Sequence, residues 1–416
     1  MRLSISAPAL GALSLAVLPL VSLSLAVGAR PCAAATTDTP QVTTPAPASA
    51  PASAPAAAAA ESPAPVGVTT STYHDALTGR DLALTVWYPA SGPGTPVTLG
   101  GNAVFEGISG ERGAPILPGR HPMVLLSHGG LRSADNTGAW LARRLARAGY
   151  VVVAEDGPML GAKDAPLAVN EIANRAYDLR GALDAVLANP DWEARIAPDR
   201  IAAIGVFLGG TAALSLAGAA FDPAAFARSC DPTPATTPAD IAKGAAQPGK
   251  AAPAKPATAK QASGAERDGP GLDCAWFRQG GLNLHAADLT PLAKLTRDHR
   301  IGFAIAVAPE YAASMDPASL TRGAVPMAIV DLGKPGETPE GMEGKVLADA
   351  APSLTYLRLP TVTRFDAFTQ CTAKGAAILK DSGSDAPICN DSGPARDAAH
   401  AVLADELRSL LDSELH

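Results

Sequence analysis

The sequence is poor in aromatic side chains and has no excess of positive charge. Aromatic residues make up 4% of the 416 residues, and 33 basic against 40 acidic side chains give a net charge of −7 at pH 7. Because nucleic-acid binding requires a basic surface, this balance argues against a nucleic-acid partner. The histidines are also few, and His74, His121, His285 and His299 lack the spacing of metal ligands, so we expect neither a metal nor another cofactor.

The chain does have an apolar N-terminal stretch. A basic residue at position 2 precedes an apolar run over residues 7–27, and small residues follow up to position 35. This pattern predicts an export signal over residues 1–35, and therefore a periplasmic or secreted protein without a membrane span. An uncleaved membrane anchor is the alternative, because about 18 apolar residues can cross a bilayer.

Cysteine is scarce, but its distribution is informative. Cys32 lies in the predicted signal, and four cysteines follow it at Cys230, Cys274, Cys371 and Cys389. An even number of cysteines in an exported chain indicates disulfides. Of the three connectivities that four cysteines allow, proximity in sequence favours Cys230 with Cys274 and Cys371 with Cys389.

Two segments are of low complexity. Residues 36–65 are mostly Ala, Pro, Ser and Thr, with too few bulky side chains to bury a core, which predicts a disordered linker. Residues 231–273 have no usable periodicity and contain scattered lysines, which predicts a solvated loop insertion closed by the flanking cysteines. We therefore expect one domain over residues 66–416 that carries this insertion.

Elsewhere, short apolar runs alternate with amphipathic ones. The runs at 81–88, 123–127, 150–154, 200–206, 303–307, 327–330 and 354–359 predict strands, and those at 139–148, 173–188 and 397–411 predict helices. Short apolar strands separated by helices indicate an α/β fold with a mostly parallel sheet covered on both faces. Binding sites of such sheets lie at the carboxyl ends of the strands.

The predicted strand at 200–206 runs into a turn framed by glycines. Residues 205–209 read GVFLG, which keeps the outer glycines of the G-x-S-x-G motif but has Phe207 at its centre. In that motif the central residue is the nucleophile, and the glycines let strand and helix approach closely. A phenylalanine ring cannot attack a carbonyl, so the motif predicts the fold without the chemistry.

Several segments, in the same order, resemble exported α/β-hydrolases of the predicted dienelactone hydrolase family, related to platelet-activating-factor acetylhydrolase. They are VWYP at 86–89, LLSHGG at 125–130, GYVVVAED at 149–156, RIAAIGVFLGG at 200–210, and the stretch from Cys371 to His400. The resemblance covers roughly residue 73 to the C terminus. It implies an α/β-hydrolase fold and hydrolysis of esters or lactones by Ser, His and an acid, with an oxyanion hole of backbone N–H groups.

The resemblance also shows where catalytic residues are replaced. Phe207 stands where the family has its serine, and Arg364 where it has its histidine. Arginine stays protonated, so it cannot take a proton from a nucleophile. Asp331 and Glu337 lie near the position of the acid, and for each a carboxylate at a strand end or turn is the competing interpretation.

Other residues could retain part of the site. By the resemblance, the oxyanion donors would be the N–H groups of Gly129 or Gly130 and of Leu208. Ser127 and His400 are the candidates for a substitute nucleophile and base, although a structural role is favoured for both.

These replacements predict a pseudoenzyme that has lost ester hydrolysis and serves in binding, regulation or the cell envelope. Its ligand would be a small hydrophobic ester or lipid. One alternative is an active carboxylic-ester or lactone hydrolase that uses Ser127 and His400. Another is a purely structural envelope protein with a filled pocket.

Overall fold

The structure, a computed structural model, describes residues 64–134, 137–232, 272–321, 325–381 and 386–415. The predicted signal, nearly all of the predicted linker and most of the insertion lie outside these ranges. In the part of the chain that is described, no helix combines the length and the apolar character that a membrane span needs.

The described residues form a ten-stranded mixed sheet with the order β10-β9-β8-β7-β5-β6-β2-β1-β4-β3. The strands are β1 (Val66–Asp75), β2 (Arg80–Pro89), β3 (Thr95–Leu99), β4 (Ile108–Arg112), β5 (His121–His128), β6 (Val151–Glu155), β7 (Ile196–Val206), β8 (Phe303–Val307), β9 (Met327–Leu332) and β10 (Thr355–Leu359). From β10 to β6 all neighbours are parallel, whereas β2 is antiparallel to both β6 and β1.

Helices cover both faces of this sheet. They are α1 (Ala139–Arg147), α2 (Ala168–Ala188), α3 (Pro190–Glu193), α4 (Leu208–Ala217), α5 (Pro223–Arg228), α6 (Cys274–Gln279), α7 (Thr290–Ala293), α8 (Lys345–Ala350), α9 (Gly375–Asp381) and α10 (Pro394–Glu414). Because successive side chains of a strand point to opposite faces, the sheet has an apolar layer on each side. Leu126 and Val152 pack with α1 and α10, whereas Leu125 and Val153 pack with α2 and α4.

The predicted α/β-hydrolase fold is confirmed. After β5 the chain turns to β6 on one side and then crosses to β7 on the other, so the carboxyl ends of β5 and β7 meet where the strand order reverses. Each predicted strand and helix is present. The sequence pattern missed β1, β3 and β4 at one edge of the sheet, because polar and half-exposed side chains interrupt them.

Both predicted disulfides are confirmed. Cys230 is bonded to Cys274, and Cys371 is bonded to Cys389. The first bond joins the ends of the insertion over a sequence separation of 44. In the chain-entropy model, closing a loop of that size stabilises the folded protein by about 4 kcal/mol. The second bond packs against Phe105 and ties down the C-terminal loop.

Candidate functional site

The turn between β7 and α4 is the sharp bend at the centre of the site. Phe207 has φ 61° and ψ −124°, a conformation that costs a residue other than glycine about 1–3 kcal/mol. A Cβ on Gly205 would lie 1.8 Å from the carbonyl oxygen of Gly209, and a Cβ on Gly209 would lie 2.1 Å from that of Ser127. Since only glycine fits at either position, the backbone keeps the strained geometry of a bend that displays a nucleophile.

The side chain at this bend is enclosed by other rings. Phe207 is only 3% exposed, and its ring centroid lies 5.4 Å from that of Phe368 and 5.8 Å from that of His128. Phe368 also stacks on Phe105, with 6.2 Å between centroids. These four residues, which we call the aromatic cluster, fill the space beside the bend.

The loop after β10 carries Arg364. It begins a 3₁₀ turn, Arg364–Ala367, which is closed by a capping box in which Thr363 and Asp366 bond each other's backbone N–H groups. The guanidinium carbon of Arg364 lies 4.5 Å from the centroid of the Phe365 ring, a cation–π contact. The loop therefore holds a permanent cation where the resemblance implies a base.

Two histidines hold the backbone of the same loop. Nε2 of His128 donates to the carbonyl of Ala367 at 2.8 Å, as does Nε1 of Trp140 at 2.8 Å. Nε2 of His400 donates to the carbonyl of Phe368 at 3.0 Å, and its ring stacks on Trp140 with 3.7 Å between centroids. Burial lowers the pKa of both imidazoles to about 4, so both are neutral at pH 7.

Ser127 and His400 are not brought together. The hydroxyl of Ser127 accepts a hydrogen bond from Arg175 of α2 at 3.3 Å. His400 belongs to α10, which packs on the opposite face of the sheet from α2. The structure thus separates the two substitute residues by the sheet itself.

A hydroxyl–imidazole pair that sequence reasoning missed lies beside the bend. The side-chain oxygen of Thr137 is 2.8 Å from Nδ1 of His128. Because Nε2 of His128 is the proton donor to a carbonyl, Nδ1 accepts the hydroxyl proton. Thr137 is 1% exposed and His128 is 4% exposed, so the pair is closed to a substrate.

The two candidate acids have other partners. The carboxylate of Asp331 accepts hydrogen bonds from Tyr356 at 3.0 Å, from Arg358 at 3.1 Å, and from backbone N–H groups at the start of α8 at 2.8 and 3.1 Å. Glu337 is exposed and accepts from the backbone N–H of Lys334 at 2.9 Å. Among the described residues neither carboxylate bonds to an imidazole, so both side chains fix local structure.

One of the three expected oxyanion donors is available. The N–H of Gly129 donates to the carbonyl of Val206 at 3.1 Å, and that of Gly130 donates to the hydroxyl of Ser133 at 2.9 Å. The N–H of Leu208, at the start of α4, donates to no acceptor within the described ranges. Of these three candidates, only Leu208 could therefore offer its N–H to a ligand at the bend.

A groove of about 740 Å³ lies beside the turn that follows β9. It is lined by Tyr356 and Arg358 of β10, by Lys345, and by two prolines of the turn, Pro335 and Pro339. Its volume lies in the range of small-molecule sites. None of its lining residues belongs to the aromatic cluster.

Sequence reasoning also missed a buried carboxyl group at the end of β6. Glu155 is 1% exposed, and neither of its carboxyl oxygens has a hydrogen-bond partner among the described residues. Burial raises its pKa to about 8, although the nearby Arg175 opposes the shift. The only sequence signal is a glutamate that ends the apolar run VVVAE.

The Glu155→Gln variant is expected to be more stable than the wild type at alkaline pH. Because the pKa in the folded state, about 8, exceeds the ordinary value of 4.5, the free energy of unfolding falls as pH rises between those values. Glutamine keeps the shape of the protonated acid and cannot ionise, so it removes that loss, on the order of a few kcal/mol at pH 8.

Urea unfolding at pH 5 and pH 9 measures this effect. We expect the two proteins to differ little at pH 5 and to diverge at pH 9, whereas the exposed control Glu337→Gln should follow the wild type at both. An identical pH dependence in the wild type and Glu155→Gln would contradict the assignment.

Comparisons with known proteins give fold-level likeness alone. The sequence matches no protein-family model and no curated protein. A ferulic acid esterase from Streptomyces cinnamoneus is 18% identical, with 86% of this chain and 92% of that chain covered and a TM-score of 0.49. A mutant of the esterase rPPE is 14% identical, with 84% of each chain covered and a TM-score of 0.40. Identities and TM-scores this low do not support the fold assignment, which rests on the strand order and on the bend between β7 and α4.

Proposed function

We propose that this protein is an exported, non-catalytic α/β-hydrolase-fold protein that serves in ligand binding or in the cell envelope. The observation that carries the proposal is Phe207, whose buried ring stands at the apex of a bend shaped to display a nucleophile. Arg364 supports it, because a permanent cation cannot act as the base. The two disulfides support export, since such bonds persist in oxidising compartments.

The expected loss of catalysis is large. Nucleophile and base act as a unit, so losing both removes on the order of 10⁶-fold in kcat. Oxyanion donors and substrate binding alone accelerate the reaction by roughly 10³- to 10⁴-fold over the rate in water. With Leu208 as the one free donor and the aromatic cluster in the pocket, this chain would retain less than that.

The proposed ligand is a small hydrophobic ester or lipid that is bound without being cleaved. The aromatic cluster leaves little room for it at the bend. The groove beside β10 offers the volume instead, with the ring of Tyr356 and two prolines as apolar surface and Arg358 and Lys345 as polar contacts.

The purified wild-type protein is expected to hydrolyse 4-nitrophenyl acetate and 4-nitrophenyl butyrate no faster than a protein-free control. The reason is that, among the described residues, the hydroxyl bonded to an imidazole is that of Thr137, and this pair is closed to a substrate. Release of 4-nitrophenolate, followed by absorbance, measures it. Turnover that is abolished by Ser127→Ala, His400→Ala or Thr137→Val would instead establish an active hydrolase with a substitute nucleophile or base.

A further inference from the structure

Glu310 connects the bend to the glycine turn after β5. Its backbone N–H donates to the carbonyl oxygen of Phe207 at 3.2 Å, on the side of that trans peptide group opposite the N–H of Leu208. Its own carbonyl accepts from the hydroxyl of Thr211 in α4. A Cβ placed on Gly130 would lie 2.6 Å from Oε1 of Glu310. The backbone of Glu310 is thus fixed at the bend, and its carboxyl group lies against the glycine turn after β5.

One oxygen of the Glu310 carboxyl group has no hydrogen-bond partner among the described residues. This oxygen, Oε2, is buried. Burial raises the pKa of the carboxyl group to about 8, and the charge of Asp273 adds to this shift, whereas Arg175 and Arg132 oppose it. Arg132 is itself paired with Asp273 at 3.2 Å, so the charge of one of these two cations is already compensated.

We infer that Glu310 excludes anions from the oxyanion site, so that this protein has lost the stabilisation of a developing oxyanion as well as its nucleophile and base. The inference deepens the proposed function and rests on it. In an ester hydrolase this site gathers backbone N–H groups because negative charge develops on the carbonyl oxygen. A carboxyl group held against Gly130 brings a charge of the same sign to that place.

The size of the effect follows from the interaction of two like charges. For an ionised carboxylate about 4 Å from the oxyanion and an effective dielectric constant of about 20, the repulsion corresponds to about 10³-fold in rate. The effect depends on pH, because a protonated carboxyl group carries no charge. Repulsion should therefore be weak at pH 6 and strong at pH 9.

The test uses the full-length protein with Phe207→Ser and Arg364→His as background, with and without Glu310→Gln. In this background the introduced serine attacks 4-nitrophenyl acetate, 4-nitrophenolate leaves, and water hydrolyses the acetyl-enzyme. We expect Glu310→Gln to raise kcat/KM by about tenfold at pH 9 and by less than about threefold at pH 6, because a pKa of about 8 leaves roughly a tenth of the carboxyl groups protonated at pH 9. A role confined to structure would not produce this dependence on pH.

Glu155→Gln in the same background is the matched control. Glu155 is also a carboxyl group with unpartnered oxygens that interacts with Arg175, but it ends β6 and has no printed contact with Gly130, Phe207 or Leu208. We expect it to change stability and leave kcat/KM unchanged. The inference would be overturned if Glu155→Gln raised kcat/KM as much as Glu310→Gln does. It would also be overturned if Glu310→Gln left kcat/KM unchanged at pH 9, or if neither protein showed turnover.

A second measurement does not require turnover. A 4-nitrophenyl alkylphosphonate reacts once with the introduced serine, forming a serine–phosphorus bond as 4-nitrophenolate leaves, and its anionic transition state uses the same donors. Glu310→Gln should accelerate this single reaction about tenfold at pH 9, and equal rates would overturn the inference. The proposed function is tested separately, because the result that contradicts it is ester hydrolysis by the wild-type protein.

Discussion

Replacing Gly205 with alanine is expected to abolish the native fold or to lower the free energy of unfolding by more than about 4 kcal/mol. The added Cβ would lie 1.8 Å from the oxygen and 2.0 Å from the carbon of the Gly209 carbonyl. Both atoms are backbone at the start of α4, so neither can move without displacing the helix from β7. A loss of this size is a large share of the 5–15 kcal/mol that stabilises a typical domain.

Circular dichroism and urea unfolding measure the effect of Gly205→Ala. Gly92→Ala is the matched control, because its Cβ would meet only two ring carbons of Pro115, at 3.5 and 4.0 Å, which are ordinary contacts. We expect the control to stay within about 0.5 kcal/mol of the wild type. A Gly205→Ala protein with wild-type stability would show that strand and helix are not in contact at the bend.

The double variant Phe207→Ser, Arg364→His is expected to acquire esterase activity, with kcat/KM at least about 10²-fold above the wild type. The bend already has the backbone conformation of a nucleophile position, and removing the Phe207 ring opens space beside His128 and Phe368. The activity should remain about 10⁴-fold below that of an intact triad, because Asp331 is held by other partners.

Hydrolysis of 4-nitrophenyl acetate by the double variant is compared with that of Phe207→Ala, Arg364→His. The comparison protein opens the same cavity and carries the same histidine but has no nucleophile. Equal rates in the two would show that the bend or the loop after β10 does not bring the new side chains together. Thermal unfolding of both proteins separates that outcome from misfolding.

The fold follows from features that are local in sequence. Short apolar runs such as residues 123–126 and 303–307 predict buried strands because they are too short for helices and a strand of a parallel sheet is covered on both faces. The spacing of Gly205 and Gly209 predicts the bend because each position tolerates no Cβ. Strands β1, β3 and β4 were missed because half-exposed strands mix polar and apolar residues without a clear run.

The roles of polar residues in the site depend on partners far away in sequence. His128 bonds to Ala367 across 239 positions, and Thr137, Glu155 and Glu310 gain their surroundings only when the strands assemble. Ser127 illustrates the same point, since one step of strand alternation turns its hydroxyl to the face of Arg175.

The sequence by itself determined that a phenylalanine stands at the centre of the glycine-framed bend and an arginine after β10, because the identities of Phe207 and Arg364 do not depend on geometry. It also determined the class of fold and the pairing of the cysteines, through apolar periodicity and proximity. Only the tertiary structure decided what occupies the vacated site. Ring packing, backbone donors and a buried carboxyl group are arranged there by the sheet, because the strands bring together residues that have no relation along the chain.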